Sequence, residues 1–275
     1  MAMLTTTRDR FIPKLLTAVL FIWACDPAAA ATPIEGQVQG GGAPIANSTV
    51  TLWSASANAA SQLAQVKTDA EGRFQISVDQ SPSKDASLYL VATGGEPAAN
   101  KGGGNNPAIA LITVLGNTPP TKVTINEFTT VASVWTNNQF LDGTALKGHP
   151  LGLRVAAGNM PNFVDLETGG WGDAIQGPLN SSQTPTMANF ATLADVLAGC
   201  ITRVTADACP RLFVASTPPQ GEAPTDTLTA AEAIARYPWY LPDRLFTLLG
   251  QLYPVPQGKN MRAVPFMPYL SFAPS

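Results

Sequence analysis

The spacing of apolar residues changes at Asn126, and this change constrains the fold more than any other feature of the chain. Before Asn126, short segments such as residues 48–53 alternate between apolar and polar side chains, which is typical of half-buried strands. After it, apolar residues recur at the spacing of one helix face: Phe128, Val131, Ala132 and Trp135. The sequence therefore predicts strands first and helices afterwards.

The predicted fold class is β + α, with two regions and a tail. Residues 33–126 predict an N-terminal antiparallel Ig-like β-sandwich, because short strands are separated by Gly, Pro and Asn turns. Residues 127–253 predict a mainly helical, loop-rich region, in which apolar stripes such as Leu241, Leu245, Leu248, Leu249 and Leu252 form the core. Residues 254–275 predict a Pro-rich extended tail. The polar, glycine-rich segment 94–106 favours an exposed hairpin connection.

Residues 1–31 have the pattern of a secretory signal peptide. Basic residues precede an apolar stretch over residues 15–24, and small residues at 28–31 offer a cleavage site. The apolar stretch is shorter than the roughly 20 residues of a membrane span. We therefore expect a secreted or periplasmic protein. Two alternatives remain: a buried N-terminal helix, or lipidation at Cys25, the one case in which a membrane would be a partner.

The cysteines agree with export. Cleavage after the alanine run would leave two of the three, Cys200 and Cys209, in adjacent helical patterns joined by a short turn. An even number of cysteines in an oxidising compartment predicts a disulfide between them. The alternative is a pair of unpaired buried thiols. Two cysteines and the single, distant His149 do not make a convincing zinc site.

Charge excludes one class of partner. The chain has a formal net charge of −3, and removal of residues 1–31 takes away three basic and two acidic residues, which leaves −4. Lys and Arg are nowhere clustered. Because nucleic-acid binding requires concentrated positive charge, we expect no nucleic-acid partner.

No catalytic, metal or cofactor site emerges from the motifs. The serine-hydrolase elbow is missing, and His149 lies in a loop-like stretch with no nucleophile assigned to it. Two acidic pairs are candidates for calcium, Asp69 with Glu71 and Asp165 with Glu167, and the second pair is also a candidate for glycoside hydrolysis, but neither has the motif of such a site. We therefore predict no cofactor and no metal, and we name no catalytic residue.

One binding residue stands out, Trp171. It lies in the glycine-rich segment 167–172, and an exposed tryptophan beside flexible glycines can stack on the face of a sugar ring. The alternative interpretation is a buried tryptophan that closes the helical core.

Part of the chain resembles a known domain family. The strand at residues 44–52, the "T-D-x-x-G-x-F" hairpin at 68–74 and the apolar strand at 88–92 resemble the carboxypeptidase regulatory-like, Ig-like (transthyretin-like) domain. The segments 123–133, 154–159 and 165–172 are similar to the front part of poorly characterised bacterial exported proteins that often continue into a β-propeller. No propeller repeats occur here. The resemblance implies an accessory module rather than a catalytic one.

The sequence thus leads to two main hypotheses. The first is an exported, non-catalytic binding or structural module with a cell-surface polysaccharide or a protein as its partner. The second is an exported hydrolase or lyase acting on polysaccharide, or the truncated front part of a propeller-containing protein.

Overall fold

The computed structural model of the chain describes Met1, residues 33–77, Ser83 and residues 85–253. The predicted signal peptide beyond Met1, the alternative lipidation site at Cys25 and the predicted tail at 254–275 lie outside these residues. All strands and helices given below lie within the unit Ala31–Ser275.

The strands of the described residues lie almost entirely before Asn126. Continuous apolar runs form strands that are buried along their length, whereas Arg73–Ile76 alternates between exposed and buried positions. The strands are Ile34–Gly40 (β1), Ala43–Ala46 (β2), Thr49–Ala55 (β3), Ser61–Lys67 (β4), Arg73–Ile76 (β5), Ser87–Thr93 (β6), Glu96–Pro97 (β7), Ala110–Gly116 (β8), Lys122–Ile125 (β9), Leu141–Asp142 (β10) and Ala145–Leu146 (β11).

These strands form two main sheets. One has the order β5-β1-β2-β7 with β9 also paired to β1, and the other has the order β4-β3-β6-β8. Strands β10 and β11 pair with each other. The prediction of antiparallel sheets followed by helices is confirmed at this level, with one difference: β1 and β9 run parallel. Strand β9 follows β8, which lies in the other sheet, and pairs with residues of β1 that also pair with β5, at positions 35–37.

Gly36 makes this parallel pair possible. It lies opposite Phe74 in the antiparallel partner β5 and opposite Val123 in β9. A Cβ atom at residue 36 would come within 2.4 Å of the Phe74 ring and within 2.5 Å of the Val123 carbonyl oxygen. Only a residue without a side chain fits between the two.

The helices follow from residue 127 onwards. Two of the longer ones begin with a capping box, Asn126 with Thr129 and Asp226 with Thr229, in which each side chain accepts the other residue's backbone N–H. The helices are Glu127–Asn137 (α1), Pro150–Gly158 (α2), Met160–Phe163 (α3), Asp173–Gln176 (α4), Pro178–Ser181 (α5), Thr186–Ile201 (α6), Ala208–Ala215 (α7), Thr227–Arg236 (α8) and Asp243–Leu252 (α9).

Hydroxyl groups join the helices to the outer edge of β8. The backbone N–H groups of Ala110, Ile112 and Val114 point away from β6. They donate to the hydroxyl oxygens of Thr227, Thr130 and Ser133, respectively, at 3.0–3.1 Å. A sheet edge that would otherwise be open to another strand is therefore covered by α1 and α8. Helices and sheets share one hydrophobic core.

Two residues of the predicted apolar stripes lie at the surface. Phe128, Val131 and Ala132 are buried as expected, but the side chain of Trp135 is 49% exposed. Leu241 precedes α9 instead of belonging to its buried face and is 42% exposed, whereas Leu248 and Leu252 are buried. The prediction that Leu241 belongs to the core is wrong, because the chain turns at Tyr237–Tyr240 before α9 begins.

Candidate functional site

Cys200 and Cys209 form the disulfide that the sequence predicts. It joins the last turn of α6 to the first turn of α7, and the Cα atoms are 4.4 Å apart. Both side chains are buried. The bridge fixes the place at which a distant loop of the β region meets the helices.

That loop is the glycine-rich segment 94–106, and it does more than connect two strands. The buried side-chain amide of Asn106 donates to the carbonyl oxygens of Cys200 and Ile201, both at 3.0 Å. The guanidinium of Arg203 donates to the carbonyl oxygens of Gly103 at 2.5 Å and Asn105 at 2.6 Å. Residues 101–105 are exposed and the segment connects the antiparallel strands β6 and β8, as expected, but its end is also anchored to the C-terminus of α6.

Trp171, the predicted binding residue, is partly buried. Its ring lies edge-on to Phe128 at 4.5 Å between centroids and 5.6 Å from Phe190. Phe190 also stacks on Phe163 at 6.0 Å. The four rings form a cluster on the inner side of α1 and α6, and this packing is that of the alternative, core interpretation.

A hairpin orients Trp171 in this way. Trp171 pairs with Val164 across a turn, and the turn is tied to the end of β9 because Thr124 N–H donates to the Leu166 carbonyl at 2.8 Å. Gly169 has a φ of +69°, and a Cβ atom there would come within 2.5 Å of Thr124. The glycine thus serves close packing against β9.

The acidic pairs considered from sequence stabilise turns. Asp69 Oδ1 accepts the N–H groups of Glu71 and Arg73, and Asp165 Oδ1 accepts those of Glu167 and Thr168. His149 is the N-cap of α2, where its Nδ1 accepts the Leu151 N–H at 3.3 Å. Within the described residues, no group of three or more His, Cys, Asp or Glu is placed to hold a metal ion.

Sequence reasoning missed a pair of buried carboxyl groups, Glu127 in α1 and Asp195 in α6. Glu127 Oε1 accepts the Gly41 N–H at 2.9 Å. Neither carboxyl oxygen of Asp195 has a hydrogen-bond partner in the described part of the chain. Burial, and then the negative charge of Glu127, raise the pKa of Asp195 to about 7. Burial and both carboxylates raise the pKa of nearby Tyr253.

Sequence reasoning also missed an exposed aromatic surface between α8 and α9. We define the aromatic surface as Tyr237, Trp239, Tyr240, Leu241 and Phe246. Trp239 is 73% exposed, and its ring lies 6.1 Å from that of Tyr237, edge-on. The guanidinium of Arg244 lies 6.0 Å from the Tyr240 ring. The signal that could have found it is the sequence Pro-Trp-Tyr-Leu-Pro at 238–242, because a pair of prolines interrupts helical burial there.

Short contacts hold the aromatic surface at the end of α8. Tyr240 N–H donates to the Tyr237 carbonyl at 2.9 Å and closes a turn. Arg236, the last residue of α8, donates to the Leu141 carbonyl at 2.5 Å and pairs with Glu232 at 2.6 Å. Glu232 in turn accepts the Gly143 N–H at 2.9 Å. The turn that carries the rings therefore follows a helix end that is anchored to the β10–β11 hairpin.

The aromatic surface is accessible to an external ligand, whereas the acidic pair is not. Glu127 and Asp195 are buried at 0% and 1% exposure, so an external polymer cannot reach them, whereas Trp239 is open to solvent. Exposed apolar side chains that form a contiguous patch mark a binding surface more often than scattered ones do. Of the features found within the described residues, the aromatic surface is the candidate binding site.

Comparison with known proteins adds little to this picture. No protein-family profile matches the chain, and no curated protein matches it. Among solved structures, the crystal structure of a 9R-lipoxygenase from Cyanothece is similar to 70% of the chain, with 17% sequence identity and a TM-score of 0.25. The chain spans 28% of the length of that lipoxygenase.

Within the residues that the structure describes, no helix is long and apolar enough to cross a bilayer.

Proposed function

We propose that the chain is an exported, non-catalytic binding module that attaches to a cell-surface polysaccharide through its aromatic surface. The observation that carries the proposal is the exposure of Trp239, at 73%, on a turn that the Tyr240–Tyr237 backbone hydrogen bond closes at the end of α8. A rigid, exposed indole offers a flat apolar face at low conformational cost, and sugar rings present a flat face of C–H groups.

Two further features support the proposal. The disulfide between Cys200 and Cys209 is typical of proteins that leave a reducing cytoplasm, in agreement with the signal-peptide pattern of residues 1–31. The two sheets are compatible with the Ig-like, carboxypeptidase regulatory-like domain that the sequence resembles, and such domains are accessory modules. In this proposal the β region is the scaffold and the α8–α9 turn carries the binding surface.

The test is a binding screen of the protein recovered after export, with its disulfide intact. Pull-down with insoluble cellulose, chitin, xylan, mannan and peptidoglycan, followed by affinity electrophoresis with soluble forms, would identify the polymer. We expect saturable binding to at least one, and a loss of roughly tenfold or more in Trp239→Ala, the size expected for an aromatic contact that dominates an interface.

The matched control is Trp135→Ala, which removes a half-exposed tryptophan of α1 that is not part of the aromatic surface. We expect this variant to bind as the unchanged protein does. The proposal is wrong if the folded protein binds no polymer, or if Trp239→Ala binds as tightly as Trp135→Ala.

A further inference from the structure

A shallow groove continues from the aromatic surface along α8. It has a volume of about 380 Å³ and lies between residues 218–225 and α8. Tyr237 lines the groove and also contacts Trp239, so the groove and the aromatic surface are continuous. A polymer that stacks on Trp239 would therefore enter the groove with one of the two ends of its chain.

Three exposed side chains of the groove are free of hydrogen bonds to the described part of the protein and face solvent. They are those of Gln220, Glu222 and Thr225. Together they supply an amide, a carboxylate and a hydroxyl group, which can both donate to and accept from the hydroxyls of a sugar. The aromatic surface would supply stacking contacts to a sugar, and these polar groups beside it would supply hydrogen bonds.

The other polar groups of the groove are already engaged. Arg236 pairs with Glu232 and donates to the Leu141 carbonyl, and Thr229 belongs to the capping box of α8. Glu222 has no ion-pair partner within the described residues. The groove therefore presents one uncompensated negative charge to a ligand.

From this arrangement we infer that the groove is a subsite for a neutral sugar unit and that it selects against uronate-containing polymers. The inference rests on the proposed function and narrows its substrate class. The hydroxyl groups of a neutral sugar satisfy Gln220, Glu222 and Thr225, whereas the carboxylate of a uronate would lie beside the carboxylate of Glu222. Two carboxylates that lie side by side repel each other, and the repulsion is strongest at low ionic strength.

The test compares neutral polymers (soluble glucan, mannan and xylan) with uronate polymers (pectate and alginate) by affinity electrophoresis at low salt. We expect the unchanged protein to be retained by neutral polymers and to bind uronate polymers roughly fivefold more weakly. Glu222→Gln should reduce the ratio of neutral to uronate affinity roughly threefold or more, because the substitution removes the charge and keeps the shape of the side chain. Gln220→Ala should weaken binding to the neutral polymer alone.

The matched control is Glu71→Gln, which removes an exposed carboxylate from the turn before β5. We expect it to change neither affinity nor selectivity. Uronates bound as tightly as neutral polymers, or a Glu222→Gln variant with unchanged selectivity, would overturn the subsite while leaving the aromatic surface in place. Absence of all polymer binding, or an unaffected Trp239→Ala, would instead overturn the proposed function.

Discussion

The Thr227 hydroxyl closes the edge of β8 at Ala110. It accepts the Ala110 N–H at 3.0 Å and donates to the Ala110 carbonyl at 2.6 Å, across 117 residues of sequence. Both residues are buried. One hydroxyl thus satisfies two backbone groups that would otherwise be unpaired in the core, and it fixes the start of α8 against the sheet.

Thr227→Val should therefore destabilise the protein. The substitution keeps the shape of the side chain and leaves the N–H and carbonyl groups of Ala110 buried without this partner, which costs about 2 kcal/mol in the free energy of unfolding. Urea denaturation followed by circular dichroism measures the change. Thr227→Ser keeps the hydroxyl, and its free energy of unfolding should fall much less. Equal stabilities of the two variants would contradict the role assigned to the hydroxyl.

The buried Asp195 should make stability depend on pH. Its pKa rises from the ordinary 3.8 to about 7 in the folded protein, so the folded state holds a proton that the unfolded state releases. The free energy of unfolding should fall as pH rises from about 4 to about 7, by roughly 4 kcal/mol from this group alone, and level off above that range.

Asp195→Asn tests this prediction because the amide cannot titrate. We expect the variant to be more stable than the unchanged protein at pH 8, with the difference shrinking towards pH 4, in urea denaturation at each pH. Asp207→Asn is the control. Asp207 is exposed, and its hydrogen bonds to Thr205 and Arg211 lower its pKa, so this variant should not become more stable at pH 8. If Asp195→Asn and the unchanged protein show the same pH profile, the titration of Asp195 has been misassigned.

Reduction of the disulfide should weaken the junction of α6 and α7. The bridge closes a short loop, with the two cysteines nine residues apart. A loop of this size contributes about 2–3 kcal/mol to the free energy of unfolding. The measurement is urea denaturation with and without dithiothreitol. A Cys200→Ala/Cys209→Ala double variant serves as the control and should not respond to the reductant. A midpoint that does not move on reduction of the unchanged protein would refute the prediction.

Substitution of Trp171 should affect stability more than binding. Its ring packs against Phe128 and Phe190, so Trp171→Ala removes aromatic contacts from the helical core and should cost about 2–3 kcal/mol. Trp171→Phe should recover part of this loss. Thermal denaturation measures stability, and affinity electrophoresis of the folded variant measures binding. A stable Trp171→Ala variant that has lost polysaccharide binding would restore Trp171 as the binding residue and count against the core interpretation.

The placement of Trp171 and Trp239 shows where local pattern was insufficient. Both tryptophans lie near glycine or proline in loop-like segments, and the sequence drew attention to the first alone. The turn at 165–170 is tied to β9 by the Thr124–Leu166 backbone hydrogen bond, which turns Trp171 inward. No comparable contact covers Trp239 within the described residues. Exposure of a loop side chain depends on such long-range contacts, which leave no periodic signal.

What the sequence determined by itself was local. Alternation predicted strands before Asn126, helical spacing predicted α1, and two cysteines in neighbouring helical patterns predicted their disulfide. These features depend on residues close together in the chain. Tertiary structure alone decided the parallel pairing of β1 with β9, the anchoring of Asn106 on α6, and the meeting of Glu127 with Asp195, because each joins residues separated by dozens of positions. Their free energy comes from burial and from hydrogen bonds that exist only once distant elements pack together.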